Sequence, residues 1–166
     1  MATKLQTVKA LGKYSLGSGV EILQGSPLKT IGYDITTADF TDGAGTSGYF
    51  DLPETVPAGS IFVGWTCHAY GAFTGDTTAI LTVGTSGTTN IFCDDAGADD
   101  LFTAGWFVGA GANEALANAV RNPHMKTATT VRITITGTAD FTSIVTAAAG
   151  KMKFCFFFLH LEDDAV

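Results

Sequence analysis

Apolar and polar residues alternate with a period of two along much of this chain, the pattern of strands that bury one face. The clearest run is Ile61–Tyr70, where Ile61, Val63, Trp65, Cys67 and Ala69 share one side and Gly64, Thr66 and His68 the other. Thr78–Gly84 alternates again with Ala79, Leu81 and Val83 inward, and Thr129–Gly137 sets Val131, Ile133 and Ile135 against Thr130, Arg132 and Thr134. Shorter strands are predicted at Ile31–Thr36, Tyr49–Leu52, Ile91–Cys93 and Leu101–Val108. Asn113–Arg121 fits either a short helix capped by Asn113 or a loose edge strand. Gly-rich turns at residues 41–48 and 84–87 separate these runs, and Pro53 and Pro57 bracket the approach to the longest one.

The last run breaks the pattern. Met152–Leu161 is predicted as the closing strand, with Phe154, Phe156 and Phe158 on one face and Cys155, Phe157, Leu159 and Leu161 on the other. Both faces are apolar, whereas a two-layer sandwich hides only one face of each strand. The second face therefore asks for another cover, most simply a neighbouring subunit. Burying a Phe is worth about 1.5–3 kcal/mol, so three rings on one face supply about 5–9 kcal/mol towards association before its entropic cost. The expected interface residues are Phe154, Phe156 and Phe158 or, in the opposite register, Phe157 and Leu159.

Composition fits one folded all-β domain. The 166 residues are 46% hydrophobic and 15% charged, with 20 Gly and only 4 Pro, which suits many short strands joined by turns. Seven to nine strands at this spacing predict an antiparallel β-sandwich, most simply a jelly roll. Residues 1–30 lack periodicity and read as an extended N-terminal arm; 31–161 form the sandwich, and 162–166 an acidic tail. Lys4, Lys9, Lys13 and Lys29 oppose Glu21 alone in the first thirty residues, a net +3 that leaves −10 on the rest of a chain totalling −7. A basic arm on an acidic body is expected to dock on a neighbouring subunit, through Lys4, Lys9 and Lys13, or to stand solvated. The acidic body argues against nucleic-acid binding. No signal peptide is expected, because Lys9 and Lys13 interrupt any hydrophobic region, and no apolar run approaches the length of a membrane span. Cys67, Cys93 and Cys155 lack metal-ligand spacing and read as small hydrophobes or free thiols.

The stretch from Asp51-Leu-Pro-Glu-Thr-Val-Pro-Ala-Gly through Val63-Gly-Trp65 carries a resemblance. It is similar to the head decoration (cement) proteins of tailed bacteriophages, in which such a segment introduces a long strand. Ala72-Phe-Thr-Gly-Asp-Thr-Thr-Ala79, Leu81-Thr-Val-Gly84, Thr130–Gly137 and the Ala148-Ala-Gly-Lys151 lead-in look similar too. The likeness covers roughly residues 31–161 and leaves the arm unmatched. It implies a non-enzymatic jelly-roll subunit, a homotrimer by preference, made in the host cytoplasm and bound to the major capsid protein on the exterior of the virion. The consecutive Phe of the final strand depart from that family's pattern.

Catalytic signals are weak, and no cofactor is expected. Asp94-Asp-Ala-Gly-Ala-Asp-Asp100 could gather oxygens for Ca²⁺, yet its spacing is not that of an EF-hand and a solvated loop is the expectation. His68, His124 and His160 are scattered. Ser47 and Ser86 sit in Gly-Thr-Ser-Gly, which is a turn and falls short of a nucleophile elbow, since that needs Gly two residues from Ser on both sides. Trp65, Tyr70, Trp106 and Phe107 are the candidates for a sugar-stacking platform, which would make the chain a tail or receptor-binding carbohydrate module instead. Trp65 falls on the core face, and Trp106 and Phe107 point to opposite faces, so only one of that pair is open to a ligand. Ala-Asp-Phe-Thr, at 38–41 and 139–142, reads as repeated turn chemistry.

Overall fold

A computed structural model describes residues 28–43, 45–93, 100–109 and 124–160, with the backbone alone of Thr3–Lys4, Ser15–Leu16 and Val20–Glu21. Its strands are β1 (Thr3–Lys4), β2 (Ser15–Leu16), β3 (Val20–Glu21), β4 (Leu28–Thr36), β5 (Thr41–Asp42), β6 (Ser47–Val56), β7 (Ile61–Gly71), β8 (Ile80–Gly84), β9 (Gly105–Gly109), β10 (Thr129–Thr136) and β11 (Lys151–Leu159), with one helical turn and a half, α1 (Thr142–Ala147), before the last. Two antiparallel sheets face each other, ordered β1-β4-β11-β7-β9 and β5-β6-β10-β8, while β2 and β3 pair as a separate hairpin. From β6 onwards each successive long strand crosses to the opposite sheet. The last two strands, β10 and β11, insert between earlier ones. This wrapping is that of a jelly roll, so the all-β sandwich expected from the alternation is the architecture observed.

The core is the apolar lining between the sheets. Ile31, Tyr33 and Ile35 of β4, Met152, Phe154, Phe156 and Phe158 of β11, and Trp65, Cys67 and Ala69 of β7 are all buried. They pack on Leu52 and Val56 of β6, Leu81 and Val83 of β8, and Val131, Ile133 and Ile135 of β10. Phe156 lies 5.1 Å, centroid to centroid, from both Phe62 and Phe92, and the Trp65 indole N–H donates to the Phe92 carbonyl at 2.9 Å. Gly109 is obligatory beside that indole, because a Cβ there would come within 2.3 Å of Trp65 Nε1.

Four expectations change. First, β7 does not alternate straight through. Phe157 pairs with Gly64 but Phe158 with Phe62, so Val63 is the extra residue of a β-bulge. The bulge turns Phe62 into the core and Ile61 and Val63 outward, 40% and 37% exposed. Second, Ile91–Cys93 is a turn, because Ile91 and Cys93 spend their N–H groups on the Thr88 and Asn90 carbonyls; only Phe92 N–H reaches Val83 of β8. Third, the strand predicted over Leu101–Val108 begins only at Gly105, since residues 101–103 form a turn. Fourth, Pro53, expected before a strand, lies inside β6. There the pairing slips between Thr130 and Arg132, and Leu52–Glu54 oppose Val131 alone, so no N–H is required of Pro53.

The repeated Ala-Asp-Phe-Thr segments form two different turns. Asp39 Oδ2 accepts from Thr36 N–H and Oγ1 at 2.9 and 2.8 Å, closing a 3₁₀ turn at Thr37–Asp39, whereas Asp140 accepts from Thr142 N–H and starts α1. Their phenylalanines meet in the core, with Phe40 and Phe141 6.0 Å apart.

Candidate interaction face

The outer face of the β4-β11-β7-β9 sheet is where apolar surface remains uncovered by the sandwich. Of eight large hydrophobic residues exposed among those described, seven stand on it: Leu28, Ile61, Val63, Tyr70, Trp106, Val108 and Leu159; Phe102 alone lies elsewhere. Register places them in rows across the strands. Leu28, Leu159 and Ile61 form one row; Thr30, Phe157 and Gly64 the next; Gly32, Cys155, Thr66 and Val108 the third. The fourth row changes character, running Asp34, Lys153, His68, Trp106. Three uncharged rows at one end of the sheet thus give way to an aromatic and charged row towards the other.

The fourth row is internally organised. His68 and Trp106 stack at 4.2 Å with their planes 6° apart, and Tyr70 lies 6.1 Å from His68. The Tyr70 hydroxyl reaches across β11 to donate to Asp34 Oδ1 at 2.6 Å, a bond that raises the Tyr70 phenol above its usual value. Lys153 Nζ lies 5.8 Å from the Tyr70 ring centroid, a cation–π contact.

The opposite outer face, on β6-β10-β8, is polar. Thr82, Thr130 and Thr136 line it with Arg132, whose guanidinium makes a two-pronged contact with Asp51 at 2.7 Å and lies 3.8 Å above the Tyr49 ring; Thr134, on the same side of β10, is buried. The two outer faces thus differ: the exposed large hydrophobic residues on the sheets gather on one of them and not on the other.

The structure separates the sequence-predicted interface residues. Phe154, Phe156 and Phe158 are buried between the sheets, the first two completely, so the face they form is the chain's own core and not a docking surface. The opposite register holds: Phe157 and Leu159 point outward, Leu159 being 37% exposed. Alternation alone could not choose, because both faces of β11 are apolar; its pairing with the inward residues of β4 decides. Lys4 is described by its backbone, opposite Tyr33 at the edge of β4, and Lys9 and Lys13 lie outside the described residues. Sequence reasoning missed Ile61, Val63 and Val108 for want of the bulge and of the β7-β9 register.

The remaining candidates resolve into structural roles. Trp65 is in the core, Trp106 projects outward at 71% exposure and Phe107 packs on the core from the other side of β9. Ser47 bonds Thr136 Oγ1 at 2.9 Å, and Thr85 and Thr88 close the turn that holds Ser86. His160 Nδ1 meets Ser60 Oγ at 3.1 Å. Burial pushes the Cys155 thiol up, away from reactivity. Asp100 accepts from Ala79 and Phe102 N–H groups; the rest of the acidic loop, Asn113–Arg121, Leu161 and the acidic tail lie outside the described residues. Among the described residues no His, Cys, Asp and Glu cluster has the make-up of a metal site, and no helix is long and apolar enough to cross a membrane.

No protein-family model matches the chain, and no curated protein matches it in sequence. Among solved structures it is similar to a chain of the Cyanophage Pam1 capsid asymmetric unit, with a TM-score of 0.55 and 15% identity over 89% of this chain and 97% of that one. At that identity the similarity is one of fold.

Proposed function

We propose that this chain is a non-enzymatic structural subunit of a virion, and specifically a decoration (cement) protein on the exterior of a phage head. The observation that carries the reading is the end-to-end match of its sandwich to a chain in a capsid asymmetric unit: 97% of that chain is covered, so the likeness is to a whole subunit. The asymmetry of the two outer faces supports it independently. A subunit that stays on a shell needs a permanent apolar contact and a solvated surface, and the two sheets supply one each. The contact is built on Phe157, Leu159, Ile61, Val63 and Val108, which bury against an adjoining copy in a trimer; the basic arm, with Lys4, Lys9 and Lys13, reaches the major capsid protein or a neighbouring subunit.

The test is co-sedimentation of the purified chain with phage heads assembled without it. Binding that saturates at a fixed number of copies per head, imaged at symmetry-related positions, is the expected result. A chain that remains in the supernatant at every concentration overturns the reading. One observation, the exposed Trp106 with its neighbouring rings, favours a second reading as a carbohydrate-recognition module of a phage tail or receptor-binding structure.

A further inference from the structure

We propose that the row Asp34–Lys153–His68–Trp106, with Tyr70 beside it, is a binding site for the sugar rings of a linear polysaccharide. The inference does not depend on which virion position the chain occupies. The row crosses four of the five strands of this sheet, about 14 Å at normal strand spacing, which is the length of a short oligosaccharide. A pyranose presents an apolar C–H face and a rim of hydroxyls, so its site needs flat aromatic plates interleaved with charged or polar partners.

Both kinds of group stand here. Trp106 is a plate 71% exposed, and its stacking on His68 fixes it in advance, so little freedom is lost when a ring settles on it. Tyr70, 44% exposed, is a second plate, held across β11 by its bond to Asp34. The Asp34 carboxylate has acceptor capacity beyond that single bond, and Lys153 supplies ammonium donors within the same row. A dry protein contact would instead have to desolvate Asp34 and Lys153, and it already has a better surface in the three uncharged rows alongside. The open sheet suits an extended chain of sugars, not a monosaccharide enclosed in a pocket.

The experiment uses the full chain. Intrinsic fluorescence reports the site cleanly, because the other of the two tryptophans, Trp65, is buried and bonded to Phe92. Titration with cello-, malto-, chito- and manno-hexaose, and a wider glycan array, is expected to give a saturable emission change with at least one linear saccharide. Calorimetry with that saccharide should then show at least a tenfold loss of affinity in Trp106→Ala and a smaller loss in Asp34→Asn, with the thermal midpoint of Trp106→Ala within a few degrees of the parent. No binding to any saccharide of the array overturns the proposal, as does unchanged affinity in Trp106→Ala. If Trp106→Ala instead abolishes self-association or head binding while the array stays blank, the row is a protein contact and the proposal also fails.

Discussion

Tyr33 shows how single residues hold the two sheets in register. Its ring lies in the core 6.0 Å from Phe50, edge to face, and its hydroxyl crosses to the other sheet to donate to Glu54 Oε2. Burial first, and then the Glu54 carboxylate, push the phenol up to about 12, because both disfavour a phenolate there. The folded value stands above the unfolded one near 10, so this contribution to stability is intact below about pH 10 and is lost as pH rises from there towards 12. Tyr33→Phe should cost about 1–2 kcal/mol at neutral pH through the lost charge-assisted bond. It should also flatten the alkaline limb of the stability–pH curve; denaturant melts between pH 7 and 11 check both. No sequence pattern announced this pair. Tyr33 was legible only as a strand residue and Glu54 as part of a Pro-bracketed lead-in, because their meeting depends on the packing of one sheet on the other.

At the scale of the element, β11 decides most. Its two apolar faces were legible in the run Phe154–Leu159, but which face the core takes was not, since residues at both parities are equally oily. The structure now separates the consequences. Phe156→Ala should cost about 3–5 kcal/mol by leaving a cavity between Phe62 and Phe92. Phe157→Glu should leave the midpoint of denaturation nearly unchanged and abolish the proposed self-association, because it charges only the outward face. Sedimentation velocity beside urea melts tests the pair, and equal effects of the two substitutions would undo the two-face description. Other misreadings have equally local causes. Ile61 and Val63 obeyed a perfect alternation that the Val63 bulge interrupts. The helix α1 went unpredicted because Thr142, Ile144, Val145 and Thr146 are β-branched and carry little helical propensity. It forms because Asp140 starts it, Phe141 and Ile144 anchor it in the core, and Ala148, in the left-handed region at φ 52°, ends it.

For the whole molecule the issue is what ties the two wrapped sheets together and what would drive the proposed association of copies. Asp76, in the loop from β7 to β8, accepts from the N–H groups of Thr138 and Ala139 at 2.7 Å each, in the segment leading from β10 to α1. It thereby pins two sheet-to-sheet connections to each other. These backbone donors, Ala139 first, hold its carboxyl below the usual carboxylate range. The stability it brings is therefore present above the ordinary Asp value and is lost as pH falls through the lower folded one. Asp76→Ala should lower the thermal midpoint at pH 7 and leave the loss of stability in acid shallower than in the parent, which calorimetry from pH 2 to 7 reads directly. Association obeys a different balance. In the proposed assembly, copies with a net charge of −7 repel one another and the contact of the outward rows is uncharged, so added salt screens the repulsion and leaves the attraction in place. Self-association measured by sedimentation equilibrium should tighten between about 20 mM and 500 mM NaCl, against Debye lengths of about 20 Å and 4 Å. A contact dominated by the basic arm on the acidic body would weaken over the same range, so the sign of the salt dependence tells which of the two surfaces holds the copies together.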